Sequence, residues 1–240
     1  VLVEKPLAPD AAAPRALLAA AAAAGRLCVP VHQFVFQPGV RRLLAAGGEP
    51  GELLHCSFLA ASAGADTGRL TPDELVAEIL PHPLSLFARL LPGALAAAEW
   101  RAHRPAPGEL RADAVAAGVS LAIVLTSRGR PTRAELEVVG TRASALADLF
   151  HGFAVVERGA PTRARKVARP LLRGSSVVLA ASANLAARAA RRETAYPGLR
   201  ELVRRTYEAI AAGGPPPVPP AETLAVAEAR DAILAAARSV

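Results

Sequence analysis

Residues 95–158 read LAAAEWRAHRPAPGELRADAVAAGVSLAIVLTSRGRPTRAELEVVGTRASALADLFHGFAVVER. Short strand-like runs, Ala96–His103, Glu109–Ala114, Val119–Thr126, Arg133–Val139 and Phe150–Glu157, alternate here with Pro, Gly and charged turns. Runs of that length, joined by turns too short for a helical crossover, predict a largely antiparallel sheet.

Upstream the pattern differs. Val1–Glu4 reads as a strand, Asp10–Ala24 as an alanine-rich helix capped by Asp10, and Arg26–His32 as a second strand. This is the alternation of a parallel α/β unit. A helix over Pro38–Ala46, stopped by Gly47-Gly48, leads to a strand over Glu52–Ser62 and a Gly/Ala-rich loop. Thr71-Pro72-Asp73-Glu74 then has the form of a capping box with proline at the first helical position, which starts a helix running to Ile79. A further helix over His82–Leu91 ends at Pro92-Gly93. Downstream, helices are expected over Val177–Arg192, Gly198–Ala212 and Ala221–Ser239, the first starting after Gly174-Ser175-Ser176 and the last following the Pro-rich linker 213–220. The chain opens on Val1, and the N-terminus reads as a cut edge.

At 240 residues the chain is long enough to bury a full core. Its apolar content is raised by alanine, and no stretch reads as a membrane span. The run Ala16–Ala24 resembles a signal core, but Glu4, Lys5 and Asp10 precede it and Gly25-Arg26 closes it like a helix end, so it reads as an amphipathic helix. Cys28 and Cys56 lie in apolar runs without metal-ligand spacing, which suggests reduced core thiols and a cytoplasmic protein.

The net charge of +7 is unevenly placed: between Arg158 and Arg205, twelve Lys or Arg face Glu193 and Glu201, leaving the remainder at −3. Such a basic segment reads first as a solvated face, then as a phosphate or nucleotide-sugar contact, then as a nucleic-acid surface. Tyr196 is the one aromatic residue among these arginines, so base stacking is disfavoured.

Only two of the 28 basic residues are lysines, Lys5 and Lys166. A lysine can give up its proton in a cleft where an arginine cannot. Lys5 sits in Glu4-Lys5-Pro6 at the C-terminal end of a strand, where open α/β sheets place ligands; the bland alternative is a surface lysine. His82 lies at a helix start between Pro81 and Pro83, well held for proton transfer, and the alternative is a structural histidine. Ser85 follows one turn later on the same face. His32 and Gln33 end the second strand and are candidates for the same cleft. His55, His103 and His151 read as structural. The sequence contains no metal-type cluster, no Gly-x-Ser-x-Gly elbow and no phosphate-binding loop.

Taken in order, these pieces resemble the Gfo/Idh/MocA oxidoreductases. The resemblance runs through Val1-Leu2-Val3-Glu4-Lys5-Pro6-Leu7-Ala8, Val31-His32-Gln33-Phe34-Val35-Phe36-Gln37-Pro38 and Gly48-Glu49-Pro50-Gly51-Glu52-Leu53. It continues through His82 with Leu86 and Leu90-Leu91-Pro92-Gly93, then Leu136–Thr141 and Tyr196-Pro197-Gly198-Leu199. It implies an α+β fold: a remnant of a Rossmann NAD(P)-binding domain over 1–36, then an open, mainly antiparallel sheet packed on helices over 37–240, with the sheet's free face used for dimers or tetramers. It implies NAD or NADP as cofactor, contacted here by Glu4, Lys5, Pro6 and Gln33, although no Gly-x-Gly-x-x-Gly occurs in the chain. By the same resemblance Lys5 orients a substrate hydroxyl and His82 exchanges its proton, while His32, Glu78 and Ser85 line the substrate. The substrate implied is a sugar, cyclitol or nucleotide sugar, with neither nucleic acid nor membrane as partner. The chain departs from the family pattern at Ser85, where an acidic residue is common and for which Glu78 is the substitute, and at Val35, where arginine is common. A non-catalytic binding or assembly module is the competing reading.

Overall fold

The computed structural model describes residues 1–8, 10, 12–45, 50–62, 70–159, 162–193 and 197–238. The chain starts with a small parallel pair, β1 (Leu2–Val3) and β2 (Val29–Pro30), joined through helix α1 (Ala12–Ala23). The carboxylate of Asp10 accepts from the amides of Ala12 and Ala13, the capping expected of it. A helical turn at Gln33–Phe36 and helix α2 (Pro38–Ala45) follow. The helix stop expected at Gly47-Gly48 lies outside the described residues, as do most of the Gly/Ala-rich loop, Tyr196 and the final two residues.

The main sheet has seven strands: β3 (Leu53–Ala61), β4 (Arg101–His103), β5 (Glu109–Ala116), β6 (Val119–Thr126), β7 (Arg133–Gly140), β8 (Ala143–Asp148) and β9 (Phe153–Arg158). Their order is β4-β5-β6-β3-β7-β8-β9, and every pairing is antiparallel except β3 with β6. That exception arises because the chain leaves β3 through α3 (Pro72–Ile79) and α4 (Pro81–Leu90) before returning to the sheet. Alternation places Cys56, Phe58, Leu121, Ile123, Leu136 and Val138 on one face, all buried beneath helices. Ser57, Leu59, Val124, Glu137 and Leu146 point to the other face and stay partly or fully accessible. The architecture is therefore the expected one, an open, mainly antiparallel sheet packed on helices behind a small α/β unit.

Three details correct the sequence reading. The strand expected over Ala96–His103 is confined to β4, because a 3-10 turn occupies Leu95–Ala97. Strand β8 was not expected, and it completes a β7-β8-β9 meander. Helix α5 runs from Arg163 to Arg191 instead of starting after Gly174-Ser175-Ser176. The helix passes unbroken through Pro170 and Gly174, held along β9 by Arg169 and Arg173 on Glu157, while the hydroxyls of Ser175 and Ser176 are satisfied on the carbonyls of Leu171 and Leu172. Helices α6 (Leu199–Ala212) and α7 (Pro220–Ala236) complete the chain. Gly198, at positive φ, opens α6, and a Cβ there would collide with the Gln33 carbonyl, so glycine lets α6 press on the turn that carries Gln33 and Phe34.

Candidate active site

The site forms where the end of β1 meets the start of α4. Thr71 caps α3 through the reciprocal box with Glu74, and α3 runs straight into α4 at Leu80. Pro81 and Pro83 occupy the first turn of α4, where their missing amides cost nothing, and they fix His82 between them. The His82 ring stacks on Phe34 at a centroid distance of 4.3 Å.

Lys5 reaches this point from the opposite side. Its ammonium donates to the Glu78 carbonyl at 3.0 Å and lies 4.0 Å from the Glu78 carboxylate. The Lys5–Pro6 peptide bond is cis. His32 is buried next to the same group. Burial, followed by the charge of Lys5 and the neighbouring His32, holds the His82 imidazole down at about 3. Burial, then the charges of Arg89 and Lys5, holds His32 at about 4. Both rings are thus neutral at physiological pH. The Nδ1 of His82 is buried and has no hydrogen-bond partner among the described residues. A buried polar atom left unpaired costs free energy that an incoming hydrogen-bond partner would recover.

Other expected residues fall as follows. Ser85 is buried, and its hydroxyl donates to the His82 carbonyl at 2.8 Å, so it braces the first turn of α4. Gln33 is half-buried in the turn beside Gly198, Pro6 is half-buried, and Glu4 is exposed at the strand end. Lys5, Glu78, His82 and His32 are brought together.

Three participants carried no signal of their own. Phe34 supplies the stacking surface for His82. Arg89 pairs with Glu222 at 2.9 Å and donates to the Pro217 carbonyl at 3.1 Å, which ties α4 to α7 close to His32. Helix α7 itself, through Thr223, Arg230 and Asp231, walls a small pocket with His32, Pro6 and Pro81. That pocket holds about 20 Å³, room for a water or two and far short of a sugar. Among the described residues no cluster of three His, Cys, Asp or Glu has the geometry to hold a metal.

An open antiparallel sheet backed by helices and preceded by a β-α-β unit is the architecture of the C-terminal part of the Gfo/Idh/MocA oxidoreductases. Among solved structures, the chain is similar to the UDP-N-acetylglucosamine 3-dehydrogenase GnnA from Acidithiobacillus ferrooxidans, at 16% identity and a TM-score of 0.74, over 99% of this chain and 70% of that one. It is similar to the WlbA dehydrogenase from Bordetella pertussis, in complex with NADH and UDP-GlcNAcA, at 15% identity and a TM-score of 0.74, over 100% of this chain and 70% of that one. It is also similar to KijD10, a 3-ketoreductase from Actinomadura kijaniata in complex with NADP, at 16% identity and a TM-score of 0.66, over 99% and 69%. At these identities the likeness establishes the fold. No protein-family model and no curated protein matches the sequence.

Proposed function

We propose that this chain is the catalytic and substrate-binding part of an oxidoreductase that transfers hydride between NAD or NADP and a hydroxyl of a sugar, cyclitol or nucleotide sugar. The observation that carries the reading is that Lys5, one of the chain's two lysines, lies near enough to the buried imidazole of His82 for its charge to help keep that ring neutral. The similar folds of enzymes crystallised with NADH and NADP support the cofactor.

The residues present fit such a group. A nicotinamide, when bound, supplies the hydride acceptor or donor. Lys5 spends one donor on the Glu78 carbonyl and keeps two for the reacting oxygen, whose developing negative charge the ammonium stabilises. The imidazole of His82 is neutral across the physiological range, so one of its ring nitrogens carries a lone pair that takes the hydroxyl proton in oxidation and returns it in reduction. Phe34 holds the imidazole plane and Ser85 holds the turn beneath it, so the base cannot swing away. In this reading Glu4, Pro6 and Gln33 hold the nicotinamide end of the cofactor, and His32 and Glu78 line the substrate.

Residues 1–36 then belong to the dinucleotide-binding unit and residues 37–240 to the substrate domain. The accessible face of the seven-stranded sheet is the surface for self-association into a dimer or tetramer. The two buried free thiols suit the reducing conditions of the cytoplasm.

The test is turnover, followed by nicotinamide absorbance across a panel of sugars, cyclitols and nucleotide sugars, in protein carrying its dinucleotide-binding portion. Lys5→Ala and His82→Ala are each expected to lower kcat by about two to four orders of magnitude while the thermal midpoint moves little. Wild-type turnover in both variants would overturn the assignment.

A further inference from the structure

Helix α4 carries His82 on its first turn and Arg89 on its last, seven residues apart and so within about 20° of one another around the helix. Both side chains meet the helical turn Gln33–Phe36: the His82 ring stacks on Phe34, and the Arg89 guanidinium lies 5.9 Å from the centre of the Phe36 ring. The same guanidinium is held by α7 and the segment before it. Its Nε donates to a carboxylate oxygen of Glu222 at 3.0 Å, and its Nη2 lies 2.9 Å from that oxygen while donating to the Pro217 carbonyl at 3.1 Å. Arg89 is therefore the point where α4, α7 and the turn that carries Phe34 are joined.

The anchor on the α7 side is stiff. Pro215, Pro216, Pro217, Pro219 and Pro220 fix the backbone on the approach to the helix, and Val218 among them is buried. Glu222 then falls in the first turn of α7, where a carboxylate also suits the helix dipole. Helix α7 does not need the ion pair to stay docked, because Thr223, Val226, Ala229, Ile233 and Leu234 are buried. Nor does a pair withdrawn from water, with side chains 24% and 18% exposed, add much net stability, since desolvation offsets most of the attraction. What a planar, directional fork supplies and apolar packing does not is register: it fixes how far α4 is rotated and slid against the turn. His82, two helical turns away on the same face, takes its place on Phe34 from that setting.

We propose that Glu222 is a positioning residue, acting through Arg89 to set the place of the His82 ring on Phe34 and with it the line of proton transfer to the substrate hydroxyl. The inference rests on the oxidoreductase reading and extends the site to a helix about 140 residues further along the chain. Misplacing a catalytic group by about an ångström costs on the order of 100-fold in rate, so a pair that touches no ligand can still decide turnover.

The test joins turnover to a spectroscopic signature of the ring. Stacked on Phe34, the ring protons of His82 resonate upfield of an unstacked histidine, and NMR of the full 240-residue chain at about pH 8, where the ring is neutral, reads their position. Glu222→Ala is expected to move that resonance downfield and, in protein carrying its dinucleotide-binding portion, to lower kcat about 10–100-fold with KM within about threefold of wild type. Arg89→Met combined with Glu222→Ala should be no worse than Arg89→Met alone, because the carboxylate acts only through the guanidinium. Glu222→Gln, which keeps the shape and one acceptor oxygen, should shift both readouts in the same direction by less, and it stands in if the alanine variant fails to fold. Glu228→Gln, six residues along α7 in an exposed pair with Arg15, should leave both readouts unchanged. An unmoved His82 resonance would overturn the proposal, as would a moved resonance with wild-type turnover, a further loss in the double variant, or an equal loss from Glu228→Gln. Wild-type protein inert toward the whole substrate panel would instead overturn the oxidoreductase reading, while the resonance still shows whether Glu222 places the ring.

Discussion

The buried group around His82 and the helix α5 hold basic groups in opposite ways. In the first, two imidazoles are buried near Lys5 and Arg89, and burial keeps both rings uncharged. On α5 seven Lys or Arg stand on a helix with no buried residue. The first region uses packing to set the chemistry of individual atoms. The second uses charge placement to define a surface, and packing contributes little to it. The two should respond very differently to pH, truncation and loss of a single ion pair.

The largest difference is expected with pH. In the unfolded chain both histidines take up protons near 6.5, whereas in the folded protein they do so only at about 4 and about 3. The stability that comes from keeping them neutral is complete above pH 6.5 and falls as the unfolded state gains protons that the folded state refuses. By pH 5 the loss is about 4 kcal/mol for the pair, and it continues to grow toward pH 3. Below about 4.5 carboxylates join in: Glu201 is held at about 2 by hydrogen bonds from Arg204 and Arg205 and by the charge of Arg41. The window from 6.5 to 5 therefore isolates the histidines. Urea unfolding across that window is the measurement, and His82→Gln should remove about half of the slope. A stability flat from pH 6.5 to 5 would mean that the rings are solvated in the folded state.

Truncating one leucine in each region sharpens the contrast next. Leu84 of α4 is fully buried beneath the site, whereas Leu171 of α5 is exposed. Leu84→Ala should cost about 2–5 kcal/mol through lost burial and a residual cavity. Leu171→Ala should stay within about 0.5 kcal/mol in the free protein. Comparable losses in urea unfolding would show that α5 packs in solution against something beyond its own chain.

The same two regions differ in how far they were legible in the sequence. The α3–α4 junction was readable because its signals are local: Thr71, Pro72 and Glu74 specify the cap, and the prolines around His82 specify the next helix start. Lys5 stood out because lysine is so scarce here, and the order of motifs supplied the resemblance that the sheet then matched. Phe34 against His82, and Arg89 bridging to Glu222, were not readable, because each depends on elements meeting across long stretches of chain without a periodic trace. Strand β8 was missed because ASALAD is built from small residues of weak strand preference, and its alanines form a strand only because they fit a tightly covered sheet face. The start of α5 was misplaced because Pro170 and Gly174 are strong local breakers, which the contacts with β9 on either side of them override.

That contact with β9 supports the smallest prediction. Glu157 receives Arg169 and Arg173 together, and it is the carboxylate through which the first half of α5 is tied to the sheet edge. Both arginines are largely exposed, so water screens the pairs and their combined contribution to global stability should be below about 1 kcal/mol. The local effect is a different matter, because few buried groups hold this helix and small losses open it. Glu157→Gln should leave urea unfolding of the sheet almost unchanged while amides in the Arg163–Arg173 half of α5 exchange measurably faster with deuterium. The half anchored by Asn184 and Arg188 on the His151 carbonyl should keep its rates. Equal acceleration along the whole of α5 would show that the helix opens as one unit, and that its two anchors, on β9 and on the turn before it, act cooperatively.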